Sequence, residues 1–180
     1  MDAVTCIKTR RSVRKFKEEP VSRDTIKDIV ETASYSPSWK NTQVVRYIYV
    51  DDKAIIDKIA QEGLMDFALN IKTVSRAAQL MIITKKDGIS GFERDGSYST
   101  GKGDNWEMFD AGIATQTFCL AAWDKGVGTV ILGVFDDKKV GEIVGVPEGQ
   151  TVAAIVALGY PAFEPDMPPR KSVEELLTYK

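Results

Sequence analysis

Positive charge is concentrated in the octapeptide TRRSVRKF, Thr9 to Phe16, where Arg10, Arg11, Arg14 and Lys15 surround Ser12. Guanidinium forks match phosphate oxygens and a serine hydroxyl adds a donor, each charge-assisted hydrogen bond contributing about 1.5–3 kcal/mol. If the segment is extended, side chains alternate, so Arg10, Ser12 and Arg14 share one face while Arg11, Val13 and Lys15 share the other. One face then presents two guanidiniums around a hydroxyl, a pattern suited to a single phosphate group. Taken alone, the octapeptide also fits a solvated charged face paired with Glu18 and Glu19, since runs of charge are commonly solvated.

A second polar cluster lies in SPSWKNTQ, which offers Ser36, Ser38, Lys40, Asn41, Thr42 and Gln43 between a helix end and a strand. Its amides can bond the edges of a heterocycle, and loops set on rigid elements commonly carry binding residues. A simple turn accounts for Pro37 but does not need so many amide and hydroxyl groups. The absence of histidine removes the Ser-His-Asp and Cys-His hydrolases, the histidine-ligated zinc enzymes and the usual neutral-pH general base. Cys6 and Cys119 have no metal-ligand spacing and are too few for a disulfide framework. Cys119 falls in an apolar helical stripe, where a buried, inert thiol is expected. GSYSTGKG, Gly96 to Gly103, matches part of a P-loop, but Gly103 replaces the hydroxyl residue that would hold Mg²⁺ and no clear strand precedes Gly96. GKGDNW fails the dinucleotide pattern at Trp106.

These segments must be held by a scaffold, and the rest of the chain supplies alternating helices and strands. Ser22 is a helix N-cap, with Ile26, Ile29, Val30 and Ala33 at helical spacing and Pro37 as the stop. Val44–Val50 is a strand, DDKAIIDKIAQEG a helix from an Asp cap to a Gly stop, and Leu80–Thr84 a buried strand. The longest helix runs from about Asn105 to Lys125 with Gly126 as its cap, and one face carries Met108, Ala111, Gly112, Thr115, Phe118, Cys119 and Ala122. VGTVIL and TVAAIVALG are two further strands, separated by the helix DDKKVGEIV. Beyond Tyr160 the Pro-rich PAFEPDMPPRKS cannot be a central strand or helix and is expected as an extended arm before VEELL.

Composition sets the outer limits. The chain has 180 residues, 43% hydrophobic and 28% charged, enough to bury about 70% of its unfolded surface as one unit. The net charge of -2 and pI near 5.3 argue against a general nucleic-acid binder, so anion binding must be local. No apolar run has the length of a membrane span or the form of a signal peptide, and a cytoplasmic protein is expected.

Four segments in order, TRRSVRKF, SYSPSWKNTQ, GIATQTFCLAAWDKGVGTVILGVF, and VALGYP followed by PPRKSVEELL, resemble the FMN-dependent nitroreductase family over nearly the whole chain. The resemblance implies an α+β, nitroreductase-like three-layer fold over residues 1–180, with a central mixed, mainly antiparallel sheet flanked by helices. It further implies an intertwined homodimer with FMN at the interface and an exchanged C-terminal arm of about residues 161–180. By the same resemblance Arg10, Arg11, Ser12 and Arg14 bind the FMN phosphate and ribityl chain. Pro37, Ser38, Asn41 and Gln43 approach the flavin from the partner subunit, Leu132 and Gly133 lie near flavin N5 through the Gly133 backbone, and Arg170 with Lys171 forms a second basic cluster.

The implied activity is a ping-pong oxidoreduction in which NADH or NADPH reduces FMN and a small-molecule acceptor, such as a nitro compound or quinone, is then reduced. No catalytic side chain is required, because FMN carries the hydride chemistry, and no metal is implied. Two departures from the family pattern bear on the acceptor. Val44 and Val45 follow Gln43 where many members have Pro-Trp, and Lys85–Asn105 is short and polar, leaving Phe92, Tyr98 or Trp106 to form a different lid. A flavoprotein of this fold with another reaction, reductive dehalogenation or flavin destruction, and a non-catalytic nucleotide binder remain the alternatives.

Overall fold

The computed structural model describes residues 1–180. Helix α1 (Ala3–Thr9) is followed by the basic octapeptide, then α2 (Arg23–Ala33), β1 (Val45–Val50), α3 (Lys53–Glu62), α4 (Ala68–Val74) and β2 (Gln79–Lys86). Helix α5 (Asn105–Asp124), β3 (Gly128–Leu132), α6 (Asp137–Val144), β4 (Gln150–Gly159) and the short α7 (Val173–Leu176) complete the chain. The four strands form one sheet in the order β1-β2-β4-β3, and all three pairings are antiparallel. The parallel component is a single bridge between Ser12 and Thr129 on the outer edge of β3.

The central strands explain the layering. β2 and β4 are apolar on both faces, which is how a strand reads when helices cover it on each side. On one face Ile56, Ile59, Leu64, Leu80, Ile82 and Ile155 gather under α3, α4 and α6. On the other, Ile26, Ile29, Met81, Ile83, Phe118 and Leu158 gather under α2 and α5. This is a three-layer α+β arrangement with α5 as the long helix across one face.

Local signals fixed the regular elements. Ser22 accepts from Thr25 N and caps α2, Asp52 caps α3 through Ala54 N, and Asp136 caps α6 through Lys139 N. Some expectations change. α2 ends at Ala33, capped by Ser34, so Pro37 lies beyond its last turn. Lys125 caps α5, and Gly126 follows in the left-handed conformation at φ 77°. Met108 and Gly112 are exposed on α5, while Glu107, Asp110 and Ala114 are buried, so the buried stripe is rotated from the one drawn by apolar residues alone. The reason is polar pairing: Lys85 Nζ lies 2.6 Å from both Glu107 and Asp87 and draws the first turn of α5 onto β2. Helices α1 and α4 had no sequence forecast. The arm from Ala162 onward is exposed at every residue except Pro165 and has no regular structure before α7, in line with its proline content.

Candidate active site

The basic octapeptide is seated on the edge of β3. Val13 N donates to Thr129 O at 2.9 Å, Lys17 N to Tyr160 O at 2.8 Å, and Ala162 N to Lys15 O at 3.1 Å. Val13 is fully buried and fixes the depth of the segment, because Gly128 opposite it leaves no room for even a Cβ. With Val13 inward, Arg10, Arg11, Ser12 and Arg14 line a cavity of about 390 Å³ together with Pro165, Asp166, Pro168 and Arg170 of the arm.

Strict alternation fails at Arg11. The segment leaves α1 at Arg10 (ψ 133°), and Arg11 turns back so that its Nη1 donates to Lys8 O at 2.7 Å and Arg10 O at 2.8 Å. It therefore satisfies carbonyls at the C-terminal end of α1 while lining the same cavity as Arg10. Neither Glu18 nor Glu19 pairs with the segment, and none of the four guanidiniums in the cavity forms an ion pair. Asp166 is the one acid in its wall. Four guanidiniums and one carboxylate in the same wall leave a local excess of positive charge that suits a phosphate dianion. Lys171 is exposed and lies outside the cavity wall.

From Thr129, β3 runs three further residues to Leu132 and Gly133 follows it, about 13 Å away along an extended chain. Leu132 is buried in the core and contributes only backbone to the surface, whereas Gly133 is exposed and a Cβ there would meet nothing within 4 Å. The fold therefore does not demand glycine at this position. The turn beyond it is pinned by buried Asn70, whose Nδ2 donates to Val134 O at 3.0 Å, and by Asp136 N to Gly63 O at 2.9 Å. Asn70 was not foreseen, because a single amide within the unrecognised α4 gives no periodic signal.

The loop from Pro37 to Gln43 lies before β1, at the opposite edge of the sheet from β3. Three interstrand spacings separate the edges, about 14 Å. Pro37, Ser38 and Gln43 line a separate cavity of about 230 Å³ with Val30, Ala33, Tyr47, Asp110 and Ala114, and Asn41 is exposed outside it. Within one chain the two predicted groups of residues thus do not share a cavity. Burial pushes the Tyr47 phenol up to about 12, so it stays protonated.

The loop conformation is costly. Lys40, Asn41 and Gln43 have φ of 45°, 56° and 48°, each left-handed and together storing on the order of 3 kcal/mol or more. Several bonds retain it: Gln43 N to Ser38 Oγ at 2.9 Å, Thr42 N to Trp39 O at 2.8 Å, and Trp39 N to both Asp110 carboxylate oxygens at 3.0 Å. The segment after β2 packs against the same loop. Lys40 pairs with Glu93, Thr42 and Ser90 share a hydrogen bond of 2.8 Å, and Trp106 lies 4.7 Å from Trp39. Phe92 and Tyr98 instead pack on each other at 5.0 Å. Lys102, the lysine of the partial P-loop, lies over the Trp106 ring at 4.8 Å, and β2 ends at Lys86, well before Gly96. Both cysteines are buried, and burial raises the Cys119 thiol.

The model of the nitroreductase family matches residues 7–160. A Bacillus subtilis protein provisionally named NAD(P)H nitroreductase YfhC is 28% identical over 186 residues, covering 96% of this chain and 91% of its own. An NADPH-flavin oxidoreductase of Vibrio harveyi is 27% identical over 177 residues, covering 94% of this chain and 70% of its own. A solved nitroreductase family protein from Clostridium novyi NT aligns with a TM-score of 0.77 at 27% identity, over 92% of this chain and 89% of that one.

Proposed function

The chain belongs to the nitroreductase family, and from that premise we propose that it is an FMN-dependent oxidoreductase driven by NADH or NADPH, reducing nitro compounds, quinones or similar small acceptors. The observation that carries the reading is the unpaired guanidinium cluster around Ser12, set on the strand that leads to an unobstructed Gly133. These residues fit FMN: a phosphate needs the charge, and a flat ring needs a backbone without a side chain. FMN held there supplies the hydride and electron transfer that the histidine-free chain lacks.

The chain's own residues divide the remaining work. Arg10, Arg11, Ser12, Arg14 and Arg170 hold the phosphate end, with Lys171 adding to the field from outside the cavity. The Gly133 N–H serves as the donor toward flavin N5, where electron density rises on reduction. Leu132, locked in the core, keeps that N–H at a fixed depth. Pro37, Ser38, Asn41 and Gln43 close over the flavin from a second copy, an assignment supported by their position at the opposite sheet edge. The reading includes a homodimer whose single-unit protomers exchange arms of about residues 161–180. The arm's exposed Phe163, Met167, Leu176 and Leu177 support it, since apolar side chains of that number are stabilised by a partner surface.

Steady-state oxidation of NADH and NADPH with nitroaromatic, quinone and haloaromatic acceptors tests the reaction. Parallel-line ping-pong kinetics with nitroaromatics or quinones are expected. Release of halide as the main reaction, or consumption of the flavin itself, would replace this reading with a different reaction on the same fold.

A further inference from the structure

We propose that Asp110 is the positioning residue of the flavin-facing loop, holding it in its left-handed shape through Trp39 and, by way of Ser90, through Thr42. The inference rests on the reading of that loop as part of the FMN site, and deepens it. Asp110 is 2% exposed on α5, and its carboxylate accepts from Trp39 N at 3.0 Å through each oxygen and from Ser90 Oγ at 2.6 Å. Ser90 is fully buried and its hydroxyl meets Thr42 Oγ1 at 2.8 Å. One buried carboxylate therefore grips both ends of the segment that contains Lys40 and Asn41.

Packing supplies only part of that grip: Trp39 packs on Trp106, while Pro37, Ser38 and Gln43 face the 230 Å³ cavity that Asp110 also lines. Three left-handed non-glycine residues relax toward ordinary conformations unless the surroundings over-determine them. A buried acceptor bonded to a backbone N–H and a buried hydroxyl is such a constraint, and it is strong because it is removed from water. The rigid 20-residue helix α5 carries it, so the loop is referred to the core rather than to its own flexible neighbours. Asp110 touches neither phosphate cavity nor Gly133, and acts through the loop.

The test compares Asp110→Asn, which keeps one acceptor oxygen, and Asp110→Ala, which keeps none, with Thr42→Ala and Thr42→Ser, of which Thr42→Ser retains the hydroxyl. Amide hydrogen exchange is measured on flavin-free protein over residues 38–43 and over β2 and β4, and FMN affinity is measured by quenching of flavin fluorescence. Exchange over 38–43 is expected to accelerate at least tenfold in Asp110→Ala and less in Asp110→Asn, with β2 and β4 unchanged. FMN affinity should fall about tenfold in parallel, and Thr42→Ser should restore what Thr42→Ala loses in both measurements. Unchanged exchange over 38–43 in Asp110→Ala, or in Thr42→Ala if Asp110→Ala does not fold, overturns the proposal. Faster exchange with unchanged FMN affinity overturns the positioning role as well. Wild-type protein that binds no FMN overturns instead the functional reading on which the inference rests, and the exchange data alone then decide whether Asp110 holds the loop.

Discussion

A glycine with space around it is informative because the fold gives no reason for it. At Gly133, which is exposed, an added Cβ meets no neighbour within 4 Å and the backbone φ is not left-handed, so Gly133→Val should leave thermal stability within about 0.5 kcal/mol, as for other exposed sites. FMN affinity and turnover should nevertheless fall by tenfold or more, because the isopropyl group occupies the space the ring must enter; fluorescence titration checks this, and undiminished binding counts against the assignment. Arg14 is exposed and forms no ion pair, so Arg14→Ala should cost little stability but weaken FMN by about 1.5–3 kcal/mol, the value of one charge-assisted contact. Sequence made the clustering of Arg10, Ser12 and Arg14 legible, because alternation along an extended segment puts them on one face, and they do line one cavity. Strict alternation alone put Arg11 on the opposite face, whereas the family resemblance grouped it with Arg10; a helix end just upstream redirects the side chain to its carbonyls and into the same cavity. Sequence missed Asp110 and Asn70 altogether, since a single buried acid or amide within a helix carries no pattern until its partners from distant segments are known.

At the scale of elements, the basic segment is positioned by a close fit rather than by its own charge. A Cβ at Gly128 would lie 2.6 Å from Val13 Cγ2 and 3.0 Å from Pro161 Cγ, and Val13 is fully buried with nowhere to retreat. Gly128→Ala should therefore destabilise by about 1–3 kcal/mol, as overpacking does, and lower the melting temperature by about 2–4 °C for each kcal/mol. It should also weaken FMN, because the octapeptide is pushed off β3; a melting temperature equal to wild type would show the contact to be slack. The strands and the helices α2, α3, α5 and α6 were legible because each carries a local signal, a side-chain N-cap on α2, α3 and α6 and a glycine just after α3, α5 and α6. Helix α1 was not, since only Cys6 is buried and Val4 and Ile7 face solvent, leaving no stripe to read. Helix α4 lacks a side-chain cap, its N-cap being Phe67, and follows two left-handed residues, Met65 and Asp66, whose conformation no residue type there announces.

For the whole molecule, the layered fold places the basic cavity and the polar loop at opposite edges of one sheet, and under the proposed reading a second copy completes the site. Removal of residues after Pro161 should then abolish the dimer while leaving the sheet intact, because those residues add almost nothing to the protomer's own core; a stable truncated dimer in sedimentation velocity would remove the arm from the interface. The architecture was legible from alternating elements and from four ordered segments, whereas the separation of the basic cavity from the polar loop follows from strand order, which sequence spacing does not encode. The central claim is that this chain is a flavoprotein, and the visible spectrum of the purified protein, followed anaerobically as NADH or NADPH is added, tests it most directly. A yellow protein with stoichiometric FMN that bleaches with a nicotinamide and regains colour with an acceptor is the expected result; a colourless protein that gains no flavin absorption when mixed with FMN would contradict it.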